Sequence, residues 1–208
     1  EAVEGLNEQF GFFIQSKSKI KGTIIANGVY GSTIKSYSVS INGQQLTSNP
    51  FITDELIGSG ICTVTITDTR NKSTTISKTY NCLDYFVPKI DFFDANRCDS
   101  NGNLDDEGDN VICEINASIS IAAYKNPKSY KILYKKQNED NYEEVILDNS
   151  AYMFSTKKII ANIDVDNEYE FKFIVSDYFS ENEKSKEIGT GFTLVNFNET
   201  GRAIAFGK

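Results

Sequence analysis

Histidine and tryptophan are absent from this 208-residue sequence, and it holds one methionine and three prolines. Without histidine there is no Ser-His-Asp triad, no Cys-His nucleophile pair and no imidazole general base. The sequence also has no glycine-rich phosphate loop and no dinucleotide fingerprint. Paired carboxylates can cleave glycosides, but the acidic residues fall mainly on predicted outward faces and turns. We therefore expect no enzyme and no catalytic, cofactor-binding or metal-binding residues.

Long apolar runs and clustered basic residues are also missing. No run approaches the roughly 18 apolar residues that a membrane helix needs. The net charge is −8 and is unevenly placed: residues 1–86 carry seven basic and seven acidic residues, whereas residues 87–208 carry 14 and 22. Phosphate binding needs clustered lysine and arginine. These features argue against both membranes and nucleic acids as partners.

Four cysteines are present, two in each half of the chain: Cys62, Cys82, Cys98 and Cys113. Immunoglobulin domains bridge their two sheets with a disulfide packed on a tryptophan, which this chain lacks. Cys62 and Cys113 fall on apolar faces of predicted strands, where a free thiol acts as a small hydrophobic group. Disulfides remain an alternative, but we favour free thiols. A zinc site is disfavoured because no histidine or Cys-x-x-Cys pair occurs.

Alternation of apolar and polar residues with period two indicates β-strands in the first half. It runs through residues 37–41 and ends at Asn42-Gly43, a pair that tolerates positive φ at both turn positions. It returns at residues 62–67, where apolar side chains alternate with threonine. Residues 68–72 read as a turn and residues 73–80 as the returning strand, so this segment predicts a hairpin.

The second half repeats this plan, with a predicted late hairpin that matches the first. Its turn is placed at Glu181-Asn182-Glu183, after Phe173 to Asp177, which parallels Val64 to Asp68. Three apolar faces are predicted: Ile115, Ala117, Ile119 and Ile121; Tyr130, Ile132 and Tyr134; Tyr169, Phe171, Phe173 and Val175. Short strands with frequent turns predict an all-β chain of two tandem sandwiches of the immunoglobulin or fibronectin III type.

The boundary between the two sandwiches is predicted near Pro88. Proline at this point follows the return strand of one unit and precedes the first strand of the next, where its missing N–H does no harm. We therefore expect residues 1–86 to form the first sandwich and residues 87–208 the second, which ends in a C-terminal hairpin. In that hairpin, Val195 and Phe197, with Thr193, are expected to pair with Ala203 and Ala205.

Two features of the second half have alternative interpretations. The loop of residues 99–109 offers many oxygen ligands for a hard cation such as calcium. Leu104 stands where an EF-hand loop requires glycine and Asn110 where it requires glutamate, so a solvated turn is the favoured interpretation. Aromatic side chains can stack on sugars, but most of them lie on predicted inward faces. Tyr178 and Phe179 are the two aromatic residues expected to be exposed.

Several segments resemble structural proteins of tailed phages (siphophages) that infect Gram-positive hosts. The run from Gly191 to Lys208 is similar to a strand and turn that lead into a Gly-x-Gly/Ala-Ile/Val-Ala-Phe/Ile-Gly-Lys ending in that family. Residues 31–37 resemble an early strand of the family. Asp68 to Ser73 resembles its Asp-x-Arg-Gly-x-Ser hairpin, with Asn71 in place of glycine. Arg97-Cys98 is similar to the opening of its second domain.

The resemblance implies a non-enzymatic tail-tip or fibre component that positions a host-recognition element. Its implied partners are other phage tail proteins and a host cell-surface component, and an oligomer is compatible with it. The implied location is the virion, after assembly in the host cytoplasm. Two alternatives stay open from the residues alone: a bacterial surface adhesin with tandem immunoglobulin-like modules, and a carbohydrate-binding module. The adhesin predicts a secretion signal and wall anchor in its gene, and the module predicts an exposed aromatic row.

Overall fold

The computed structural model describes residues 6–148, 150–191, 195–197 and 204–206. The chain separates into two compact units, one of residues 1–86 with 121–126 and one of residues 87–120 with 127–208. Residues 121–126, which the sequence assigned to the second domain, thus group with the first unit. Both units are built almost entirely of strands, which confirms the predicted all-β class of two immunoglobulin-like sandwiches.

Within the described part of residues 1–86, the first unit has one short α-helix and eight strands. In chain order they are α1 Leu6–Phe10, β1 Phe13–Ile14, β2 Lys21–Gly22, β3 Ile34–Ile41, β4 Gln44–Leu46, β5 Phe51–Ile52, β6 Gly60–Asp68, β7 Ser73–Tyr80 and β8 Cys82–Leu83. An antiparallel sheet with the order β4-β3-β6-β7 dominates the unit. The turn between β3 and β4 has φ of 51° at Asn42 and 73° at Gly43, as the sequence predicts.

The inner face of this sheet packs against short segments instead of a second full sheet. Val39 and Ile41 of β3 are buried together with Phe51 of β5. The opposing layer consists of two-residue ladders, β2 with β5 and β1 with β8. The core of the first unit is therefore covered over only part of the sheet.

The second unit contains strands β9 to β17. They are β9 Lys89–Cys98, β10 Asn110–Ser118, β11 Ser129–Lys136, β12 Glu143–Ile146, β13 Met153–Ala161, β14 Tyr169–Ser176, β15 Glu181–Ile188, β16 Val195–Phe197 and β17 Ile204–Phe206. A 3-10 helix at Ala122–Tyr124 follows β10 in the sequence but belongs to the residues that group with the first unit. A three-stranded sheet, β13-β10-β9, faces a four-stranded sheet, β12-β11-β14-β15. Strands β16 and β17 form a separate hairpin.

The predicted inward face of β14 is confirmed. Tyr169, Phe171, Phe173 and Val175 are all at most 5% exposed. Across the sheet, the half-buried ring of Tyr134 stacks on Phe171 with 5.4 Å between ring centroids. These residues belong to one continuous core shared by both sheets.

The two units share the order of their four-stranded sheets. The order β4-β3-β6-β7 in the first corresponds to β12-β11-β14-β15 in the second. The hairpins β6-β7 and β14-β15 therefore occupy the same position, as the sequence predicts. The units differ in the opposing layer, which is a three-stranded sheet in the second unit and a pair of two-residue ladders in the first.

The predicted turn at Glu181-Asn182-Glu183 is wrong, because β15 already begins at Glu181. The chain reverses at residues 177–180 instead. The Asp177 carboxylate accepts hydrogen bonds from the backbone N–H groups of Phe179 and Ser180, and Asp177 N–H donates to the Ser180 carbonyl. Such aspartate-capped turns need no glycine.

Two further predictions require correction. Ile115, Ala117 and Ile119 are buried as expected, but Ile121 is 44% exposed because β10 ends at Ser118 and a 3-10 helix follows. In the C-terminal hairpin, Ala205 lies opposite Asn196, not Val195 or Phe197, whose partners are Phe206 and Ile204. The predicted register is thus shifted by one residue. Thr193, Ala203 and the turn at residues 199–201 lie outside the described residues.

Arg97 holds the loops at one end of the second unit. It is 6% exposed. Its guanidinium donates hydrogen bonds to four backbone carbonyls, those of Gly108, Asp164, Asn167 and Gly189, at 3.0–3.2 Å. Burial lowers the pKa of Arg97, although the group stays charged because the arginine pKa is so high.

Candidate functional site

The turn that joins β6 and β7 in the first unit is stabilised by hydrogen bonds to the Asp68 carboxylate. Asp68 accepts backbone hydrogen bonds from Arg70 and Lys72, and its other oxygen receives the Arg70 guanidinium at 2.7 Å. These donors hold the pKa of the Asp68 carboxyl well below its usual range, the Lys72 N–H having the largest effect. Asn71 has φ of 62°, a left-handed conformation that glycine and asparagine adopt more readily than other residues.

The outer face of the hairpin is a ladder of hydroxyl groups without charge. Three cross-strand pairs hydrogen-bond through their side-chain oxygens at 2.9–3.0 Å: Thr63 with Ser77, Thr65 with Thr75, and Thr67 with Ser73. Ser38 and Ser40 of β3 lie opposite Thr65 and Thr63 and continue this face. Cross-strand threonine and serine pairs stabilise a hairpin. Apart from the exposed Ile61 at one end of β6, this part of the face is formed by hydroxyl side chains.

The inner face of the hairpin lines an open apolar groove of about 570 Å³. Val64, Ile66 and Ile76 come from the hairpin, and the segment of residues 20–25 forms the other wall. Ile76 is 64% exposed and Ile25 is 89% exposed. The groove exists because the opposing layer of the first unit is reduced to two-residue ladders at this point.

Strand β7 also forms one edge of its sheet, with β6 as its neighbour on one side. Seven of its eight residues, Ser73 to Thr79, are exposed. The β6-β7 ladder runs without a bulge over the whole strand. Lys78 is the single charged residue in β7, whereas β15 at the equivalent edge of the second unit carries five charges in eight residues. Charged residues and β-bulges protect sheet edges from pairing with other strands. Strand β7 has one charged residue and no bulge, so its edge is poorly protected.

The acidic loop of residues 99–109 uses its side chains to build its own turns. Asp99 accepts hydrogen bonds from the backbone of Asn101 and from the backbone and side chain of Asn103. Asp105 caps Glu107 in the same way. Among the described residues, no group of three or more acidic or cysteine side chains is arranged to hold a metal ion.

All four cysteines are free thiols in the structure. Cys113 is fully buried, and this burial raises its pKa to about 12. Burial also raises the thiol pKa values of Cys62, Cys82 and Cys98. Reactive cysteines typically have a lowered pKa, and the shifts of these four thiols are in the opposite direction.

The two aromatic residues expected to be exposed behave differently. Tyr178 is 45% exposed, whereas Phe179 is half-buried and packs edge-on against the Tyr178 ring, with 5.1 Å between centroids. The prediction also missed the two most exposed of the described aromatic side chains, Tyr30 at 93% and Tyr124 at 80%. Within the described ranges, no helix has the length and apolar character to cross a bilayer.

The sequence pattern predicted no functional residue and did not indicate the groove or the free edge of β7. Alternation placed the side chains of Cys62, Val64 and Ile66 on an inward face but could not show that little covers it. A signal was present in β7, where Ile76 is an isolated aliphatic side chain in a run of serine and threonine. In a strand with a covered inner face, further apolar residues would be expected at Thr74 and Lys78.

No family model matches the sequence, and the comparison with curated proteins gives no match. Among solved structures, an ice-binding Ca²⁺-stabilized adhesin of an Antarctic bacterium has a TM-score of 0.44 at 12% identity, over 88% of this chain and 48% of that one. A DUF3823 family protein of Bacteroides ovatus has a TM-score of 0.38 at 10% identity, over 82% and 98%. The chicken CNTN1 FN1–FN3 domains give 0.37 at 12%, over 86% and 64%. Identities and TM-scores this low assign neither a family nor an activity.

Proposed function

We propose that this chain is a non-enzymatic structural protein of a phage tail, in which two immunoglobulin-like units position a host-recognition element. The observation that carries the proposal is the construction of the second unit. Its core is continuous across two sheets, and its buried polar groups serve the fold. Every buried side-chain nitrogen or oxygen among the described residues has a hydrogen-bond partner. Catalytic sites commonly contain buried polar groups that have no partner in the protein and hydrogen-bond to the substrate instead, whereas a structural spacer does not need such groups.

Three of the segments that resemble phage tail proteins support the same proposal because their described residues have structural roles. Asp68 and Asn71 shape the hairpin turn of the first unit. Arg97 ties three loops of the second unit together. Residues 195–197 and 204–206 form the C-terminal hairpin. These are the features that a structural module must keep.

Immunogold electron microscopy tests this proposal. Antibodies against the chain are applied to particles released after prophage induction in the bacterium that carries the gene. We expect gold at the tail or tail tip of intact particles. Gold on the cell wall of uninduced cells, with none on particles, would contradict the proposal and favour the adhesin. A gene-deletion strain serves as the labelling control.

A further inference from the structure

We propose that the free edge of β7 pairs with β7 of a second copy of the chain, antiparallel and about a two-fold axis at Ile76. This inference goes beyond the proposed function and does not depend on it. An exposed strand edge is a template for another strand, and a self-complementary edge yields a closed dimer. The unprotected character of β7 and the apolar groove beneath it are the two independent observations behind the proposal.

The sequence of β7 selects the register. In antiparallel pairing about a two-fold axis, residue 76 of one copy faces residue 76 of the other, 75 faces 77, and 74 faces 78. Ile76 then meets Ile76 above the two grooves, and the single charge, Lys78, faces the neutral Thr74. A register centred on Ser77 would instead place Ile76 opposite Lys78. A register centred on Thr75 would place Lys78 opposite Lys72, a like-charge pair.

The two faces of the hairpin agree with this register. On the outer face, Thr75 lies opposite Ser77 of the second copy, which extends the hydroxyl ladder that β6 and β7 already form. On the inner face, the exposed Ile76 side chains cover one another, and the groove walls gain an apolar neighbour. The first unit has equal numbers of acidic and basic residues in 1–86, so its net charge does not oppose association.

An edge of eight residues forms a small interface, so the expected association is weak. Interfaces below the standard size typically belong to transient complexes, and we expect a dissociation constant on the order of 10 µM. Sedimentation velocity of the full chain from about 1 to 300 µM covers that range. A chain that stays monomeric throughout would overturn the proposal.

Two substitutions at one exposed position test the register. Thr74→Lys places a positive charge opposite Lys78 of the second copy, twice in each dimer, and we expect affinity to fall about 2- to 30-fold. Thr74→Glu places a negative charge there and should tighten the dimer by a similar factor. Since a misfolded variant would not bind more tightly, the opposite signs separate pairing from loss of structure.

Ser185→Lys and Ser185→Glu are the matched controls. Ser185 is an exposed residue in the middle of β15, the corresponding edge strand of the second unit. We expect neither change to alter the dissociation constant by more than about twofold, the effect of a remote surface charge. Thr74 variants that leave the dimer unchanged, or shift it in the same direction, would overturn the proposal.

Discussion

Replacement of Phe173 by alanine tests the core of the second unit. The ring is fully buried in the middle of β14 and contacts Phe93 of the facing sheet, with 5.7 Å between centroids. Burial of a phenylalanine removes roughly 150–200 Å² from water, worth about 4–5 kcal/mol at 25 cal/mol per Å². Measured truncations of buried phenylalanine cost about 3–5 kcal/mol, which agrees with this value. We expect a loss of about 4 kcal/mol in the free energy of unfolding.

The neighbouring Lys172 is the matched control. Its side chain lies on the opposite face of β14 and forms an ion pair with Glu183, with 3.3 Å between Nζ and Oε1. Exposed pairs contribute little, so Lys172→Ala should cost no more than about 1 kcal/mol.

Urea denaturation of the intact chain, followed by far-UV circular dichroism, measures both effects. For an m-value of about 2 kcal/mol per molar urea, Phe173→Ala should lower the midpoint of the second unit by about 2 M. The transition of the first unit should stay in place. Equal midpoints for the two variants would refute the assignment of β14 as a strand with one buried face.

Three other predictions concern polar groups and thiols. Arg97→Ala should destabilise the second unit by about 3–5 kcal/mol in the same assay, since one buried and three partly buried carbonyls lose their donor, and Arg97→Lys should cost less. The pKa of Asp68 is lower in the folded protein than the value of about 3.9 expected in the unfolded chain. The ionised carboxylate therefore stabilises the hairpin at pH values above about 3.9, and this contribution is lost as the pH falls through the folded pKa. The stability gap between wild type and Asp68→Asn should therefore narrow from pH 7 to pH 3. Thiol titration of the denatured, unreduced protein should find four free cysteines, and two would indicate a disulfide.

Alternation predicted the second unit well because both of its sheets are complete. Where one sheet covers another, an inward position must be apolar and an outward position polar, so Phe171, Phe173 and Val175 could be assigned from the pattern alone. The late turn was misplaced because Glu181, Asn182 and Glu183 are polar, as turn residues often are, although they open β15. Its reversal depends on the Asp177 carboxylate, which a count of glycine and polar residues does not detect.

The apolar groove and the free edge of β7 in the first unit could not be predicted from the alternation of apolar and polar residues. Periodicity shows that Val64 and Ile66 share a face, but not what lies above that face. The covering layer is set by contacts between segments far apart in sequence, such as β2 with β5. The edge position of β7 depends in the same way on sheet order. For this reason the groove and the free edge became apparent only from the structure.

Separate expression of residues 1–86 and 87–208 tests the central claim, that the chain consists of two separately cored β-sandwiches. Each fragment has its own buried core around its own four-stranded sheet. We predict that each shows a β-sheet circular dichroism spectrum and a single cooperative thermal transition. The smaller, thinly covered first unit should melt at the lower temperature. A fragment without a cooperative transition would contradict the two-sandwich account.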